Sequence, residues 1–145
     1  MQPLVFALRV FVGAALVFAG ALKVGHFSDV ASAIAGFEVL PRAAVAPLAV
    51  VLPFFEIGLG LYLIGGLFAR GAAVVACAQF LIYAAAIASA VVRHIPAACG
   101  CFGPGDKTQA DWPHAFFDLA MAAVCAFVAW KAPGSLALDR RIRSE

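Results

Sequence analysis

The sequence predicts an all-α integral membrane protein, a four-helix bundle with a short interfacial helix in its first outer loop. Three observations predict it. Of 145 residues, 65% are hydrophobic and only 12% are charged, with a mean hydropathy of +1.01, whereas soluble domains are about half apolar and a quarter charged. The apolar residues run continuously, without the polar alternation of strands. They also gather into four stretches near the roughly 20 residues that cross a hydrocarbon core. Four spans use nearly the whole length, so a single transmembrane domain over 1–145 is expected. The net charge of +2 is small, and no basic run interleaves with aromatics, which excludes a nucleic-acid surface. The partner that composition implies is the lipid bilayer.

The first span is expected at 4–24. Ala19-Gly20-Ala21 looks like a secretory cleavage site, but Lys23 follows it at once and the apolar run begins before Arg9. The segment is therefore expected to stay as a helix. In "HFSDVASAIAGFEVLPR", Phe27, Val30, Ile34 and Phe37 share one helical face. Ser28 or Asp29 would cap its start, and Gly36 with Pro41 would end it. Its length suits a helix lying in the interface.

Spans at 43–64, 68–92 and 115–130 follow, with a basic tail at 131–145. Gly13, Gly20, Gly58 and Gly60, with Ala72, Ala76, Ala84 and Ala88, would let helix backbones approach closely in lipid. Trp112 and Trp130 bracket the last span as interface anchors. The end holding the 65–71 turn and the tail carries Arg70, Lys131, Arg140, Arg141 and Arg143. The opposite end carries Lys23, Arg42, Arg93 and Lys107. The positive-inside rule then places both termini in the cytoplasm. It puts the "CGCFG" loop, residues 99–103, on the periplasmic side of a bacterial inner membrane, where disulfide chemistry belongs.

Chemistry centres on Cys99 and Cys101. A disulfide across one residue meets its geometric demands only with strain, which Gly100 eases by tolerating unusual backbone angles. A strained, exposed disulfide is oxidising rather than structural. Pro96, Gly103, Pro104 and Gly105 are expected to keep the segment out of helix and accessible. Arg93 and His94 would favour the thiolate. Cys-x-Cys also binds Cu(I) or Zn(II), with His94 or His114 as a further ligand, and an inert pair is the third reading. Cys77 and Cys125 are expected to pack as small apolar residues, though similar depth would allow them to pair.

Glu56, near the middle of the second span, is costly in lipid and marks a site with a partner. Arg9 is the expected partner, and Pro53 should bend the helix beside it. Gln79 and Tyr83, four apart, place two hydrogen-bonding groups on one face. They would meet a quinone carbonyl or a neighbouring helix. Asp118 with His114 makes a local pair that would hold the loop or shuttle a proton.

The succession of "FAGALKV", "VLPR", "LPFFEIGLGLYLIGG" and "CGCFG" resembles the MauE branch of the DoxX-like membrane proteins, named for methylamine utilisation. The resemblance implies a four-helix membrane protein serving redox maturation of periplasmic proteins beside a thioredoxin-like partner. The disulfide-rich small subunit of methylamine dehydrogenase is the implied client. Cys99 and Cys101 match the family's redox pair, and Glu56 and Lys23 its recurrent charged positions. The architecture is also similar to that of vitamin K epoxide reductase-like proteins, which bind a quinone in a four-helix bundle. Those use Cys-x-x-Cys with a second loop-borne pair, whereas here the motif is Cys-x-Cys.

The function expected is therefore a membrane thiol–disulfide oxidoreductase, with a membrane quinone near Glu56, Gln79 and Tyr83 as an acceptor for its electrons. The alternative is a non-catalytic accessory protein that docks a thioredoxin-like partner or hands over a soft metal.

Overall fold

A computed structural model describes residues 2–100 and 108–131. Cys101 and residues 132–145 of the expected basic tail lie outside the described residues, while Lys131 ends the last helix. Five helices follow in order: α1 (Gln2–Lys23), α2 (Phe27–Gly36), α3 (Arg42–Gly65), α4 (Ala69–Val92) and α5 (Trp112–Lys131). All but α2 are long and apolar enough to cross a membrane.

The four spans form two close pairs, α1 with α3 and α4 with α5, while α3 and α4 touch only slightly. Glycine sets the first pair. A Cβ on Gly13 would stand 2.7 Å from the Gly60 carbonyl oxygen, one on Gly60 2.5 Å from that of Gly13, and one on Gly20 2.6 Å from that of Pro53. The two backbones therefore meet with nothing between them, as small residues allow in lipid. Gly58 differs: a Cβ there would meet nothing within 4 Å, so it takes no part in the contact. Alanine serves the second pair, with Ala72, Ala73, Ala76 and Ala84 buried on α4. Cys77 and Cys125 are both free thiols in this packing.

α3 remains helical through Pro47 and Pro53. It stops at Gly66, whose left-handed φ of 67° turns the chain while its N–H and that of Leu67 return to the Leu63 and Tyr62 carbonyls.

α2 lies across α3, with Val30 buried and Phe27 6.2 Å from Phe54, ring centre to ring centre. Its start differs from expectation. Gly25, at φ 85°, turns the chain directly after α1, so the helix begins at Phe27 with His26 in the capping position. Ser28 and Asp29 fall inside the first turn and cap nothing. Asp29 there still complements the positive end of the helix dipole.

Between α4 and α5 the chain forms a short antiparallel bridge, Ala98 against Gln109. Cys99 donates its N–H to the Thr108 carbonyl at 2.8 Å, and Ala110 donates to that of Ala97 at 2.8 Å. The bridge and α2 occupy the same end of the bundle.

Candidate functional site

Glu56 is 1% exposed, and its carboxylate is fully occupied. Lys23 Nζ donates to both oxygens, at 3.0 and 2.8 Å. Tyr83 donates its hydroxyl to Oε1 at 2.6 Å, and Gln79 Nε2 donates to the same oxygen at 3.2 Å and to the Tyr83 hydroxyl at 2.9 Å. Three spans thus converge on one carboxylate, as a buried charge requires.

The expected partner, Arg9, is not the one that bonds Glu56. Gly13 faces Gly60 and Gly20 faces Pro53, which puts Arg9 opposite Ile64 and Lys23 opposite Val50. Glu56 lies between these levels. Side chains tilt toward their helix N-terminus, so on α1 Lys23 reaches back to Glu56 while Arg9 reaches away. Arg9 is itself buried, with its guanidinium carbon 5.5 Å from the centre of the Phe6 ring.

Lys23, Gln79 and Tyr83 line a cavity of about 580 Å³ in the seam between the helix pairs. α2 covers one end of it, and Cys99 and Gly100 form part of the same wall. The remaining lining is apolar. Val51 and Phe55 on α3, with Val75 and Ile82 on α4, are lining residues that stay exposed. The cavity is therefore open sideways, near mid-length of both helices. The face shared by Gln79 and Tyr83 is legible from their spacing; the cavity is not.

Cys99 departs from expectation. It is 6% exposed, packed with Ile87 and Ala115, because the bridge to Thr108 holds its backbone and α2 lies over it. Gly100, at φ 63°, would bring a Cβ within 2.8 Å of the Ala33 methyl on α2. Residues 95–100 are out of helix, but Cys99 is tucked into the bundle rather than accessible.

Arg93 and His114 are engaged elsewhere. Arg93 donates through Nε to the Ser89 carbonyl and hydroxyl and through Nη2 to the Phe37 carbonyl, tying α4 to the end of α2. His94 is exposed at a left-handed turn, φ 55°. His114 Nδ1 faces Asp111 Oδ1 at 2.5 Å, and the same oxygen accepts the His114 N–H at 3.0 Å. Asp111 is thus the cap of α5, a role the sequence reading missed although Asp before "WPHA" is a helix-start signal. Hydrogen bonding to His114 holds the Asp111 carboxyl below its ordinary value of 3.8. Asp118 is buried, with Oδ2 lacking a hydrogen-bond partner among the described residues. No cluster of three metal-ligating side chains forms among the described residues.

This arrangement puts a thiol, a neutralised charge pair and two neutral hydrogen-bonding groups around one lipid-accessible apolar space. Comparison with known proteins carries the identification further. The family model for methylamine utilisation protein MauE matches residues 1–131. The chain belongs to the MauE family. It is 33% identical over 138 residues to the methylamine utilization protein MauE of Paracoccus denitrificans, covering 94% of this chain and 74% of that one. To the MauE protein of Methylophilus methylotrophus it is 32% identical over 123 residues, 82% of this chain and 64% of the relative. The chain thus spans about two-thirds to three-quarters of the length of these MauE relatives. No solved structure matches it. This MauE family member is a multi-pass membrane protein with a link to methylamine utilisation.

Proposed function

We propose that this chain is a membrane thiol–disulfide exchange factor of methylamine utilisation, in which Cys99 and Cys101 accept electrons from a thioredoxin-like partner. The observation that carries the reading is the backbone at Gly100. Its left-handed φ, and an approach to α2 so close that a Cβ would stand 2.8 Å from the Ala33 methyl, favour glycine between the two sulfurs, with Cys99 in the cavity wall.

The burial of Cys99 assigns roles. Cys99 is enclosed, so Cys101 is the sulfur that a soluble partner attacks. A partner thiolate bonds to Cys101 and the Cys99–Cys101 bond breaks, leaving Cys99 as the thiolate. The partner's second thiol then displaces Cys101, and the partner departs oxidised while this chain holds two thiols. The disulfide-rich small subunit of methylamine dehydrogenase fits as the client. Lys23 lies inside the bundle, bound to Glu56, rather than in a loop. The remaining loop charges are then more strongly weighted toward the end holding the 65–71 turn. That supports cytoplasmic termini and a periplasmic CGCFG segment in the inner membrane.

The test is capture of the mixed disulfide with a single-thiol, activated thioredoxin-like partner. Cys99→Ser should accumulate the adduct through Cys101, and Cys101→Ser should form it at least tenfold more slowly. Oxidation of the dithiol partner at the wild-type rate by both single variants would sink the mechanism and leave a docking role.

A further inference from the structure

We infer that the cavity between α3 and α4 binds the ring of a membrane quinone, entering sideways from the bilayer, as the direct oxidant of the Cys99–Cys101 dithiol. The inference rests on the thiol-exchange reading for its chemistry, but its binding site stands on geometry alone.

Four features select the ligand class. The volume, about 580 Å³, falls in the range of roughly 300–1,000 Å³ typical of small-molecule sites. The mouth is apolar and lies at the depth of the hydrocarbon, because Val51, Phe55, Val75 and Ile82 are both lining and exposed. A ligand that arrives there travels in lipid.

The polar end carries no surplus charge. Lys23, the cation in the lining, is matched by Glu56, so a phosphate or carboxylate headgroup would find no counter-charge. What the end offers is neutral hydrogen bonding. Gln79 is buried, and its Oε1 has no partner among the described residues. An unmet buried acceptor is costly and calls for a hydroxyl from the ligand. Lys23 bonds Glu56 through two of its three N–H donors, and the third suits a carbonyl. A ring whose oxygens alternate between carbonyl and hydroxyl satisfies both groups, and quinone and quinol are those two states.

The fourth feature is Cys99, which lines the same cavity as Gln79 and Lys23. The step balances. Two S–H bonds break and one S–S bond forms. The two electrons and two protons released pass to the quinone oxygens, which become the two hydroxyls of the quinol.

The experiment is equilibrium dialysis of ubiquinone-1 against the full chain in detergent. Wild type should bind one equivalent saturably. Val51→Trp fills the mouth from an exposed position and should weaken binding at least tenfold without lowering thermal stability. Ala86→Phe, deeper in the lining, is the second blocking variant, and Gln79→Leu should weaken the quinol more than the quinone. A parallel alkylation count should show reduced wild type closing its disulfide as one quinol forms per chain.

Absence of saturable binding to folded wild type would overturn the inference and leave thiol exchange standing. So would binding indifferent to both blocking variants, or equal competition by an alkylbenzene lacking ring oxygens, which would make the site an acyl-chain cleft. Saturable binding to wild type whose thiols quinone leaves unchanged would overturn the ring's role as oxidant. The thiol-exchange reading itself fails only in the mixed-disulfide test.

Discussion

Lys23, the last residue of α1, turns back into the bundle and holds Glu56 by both carboxylate oxygens, across 33 residues of sequence and with both side chains buried. The pair ties α1 to α3 where the two backbones are already in contact at Gly20 and Pro53. Glu56 in turn receives Tyr83 and Gln79 from α4, the helix that α3 otherwise barely touches. One carboxylate therefore bridges two tightly packed halves across a seam that stays open as a cavity.

Removing one member of that pair should cost far more than removing both. Lys23→Met leaves a buried carboxylate with only neutral donors, and such a loss is typically ~3–5 kcal/mol. Lys23→Met/Glu56→Gln leaves no charge, and should recover most of it. Thermal unfolding of the two single variants and the double variant in one detergent gives the coupling. Additive losses would show that the pair is not a unit.

The glycines of α1 and α3 separate by role. Gly20→Ala places a methyl 2.6 Å from a carbonyl oxygen of the facing backbone, so α1 and α3 must part, and unfolding should come several degrees lower. Gly58→Ala meets open space and replaces a flexible residue within a helix, which favours the folded state by about 0.5–1 kcal/mol. Opposite shifts in unfolding temperature are expected from two substitutions of the same chemical size.

Acid should loosen the first turn of α5. Hydrogen bonds from His114 hold the Asp111 carboxyl below its ordinary value of 3.8. A group whose folded value is depressed stabilises the fold above its unfolded value, and loses that contribution as pH falls through the folded one. Exchange of the His114 and Ala115 amides, both bonded to Asp111, should therefore quicken as pH drops below 3.8, after correction for the intrinsic rate. Asp111→Asn keeps a capping side chain but has nothing to titrate, so it should show no such step.

The four spans were legible because continuous apolar runs of this length have few other uses, and their expected ends lie within three residues of those observed. The outer helix was legible from the spacing of Phe27, Val30, Ile34 and Phe37. The choice of Lys23 over Arg9 was not, although the information was present. Gly13, Gly20 and Gly60 set the α1–α3 register, and side-chain tilt then selects Lys23. The burial of Cys99 was hidden for a different reason. Glycines and prolines report that a segment is not helical, but not what lies over it, and here a helix some 65 residues earlier supplies the cover. The cavity was equally hidden, since it comes from the absence of close α3–α4 packing, and no single residue encodes a gap.

The residue between the two thiols gives the sharpest test of how that segment is held. Gly100 combines φ 63° with a 2.8 Å approach of its missing Cβ to the Ala33 methyl. Gly100→Ala therefore suffers two separate penalties: a left-handed backbone, worth about 1–2 kcal/mol for a residue with a Cβ, and a collision with α2. Ala33→Gly removes the collision and leaves the backbone cost. Gly100→Ala alone should expose Cys99, raising its alkylation rate at least tenfold as the segment lifts from α2. Gly100→Ala/Ala33→Gly should return the rate part of the way toward wild type, with the remainder set by backbone strain. An unchanged rate in Gly100→Ala would mean that α2 does not hold the segment down, and Cys99 would then owe its burial to the Thr108 bridge alone.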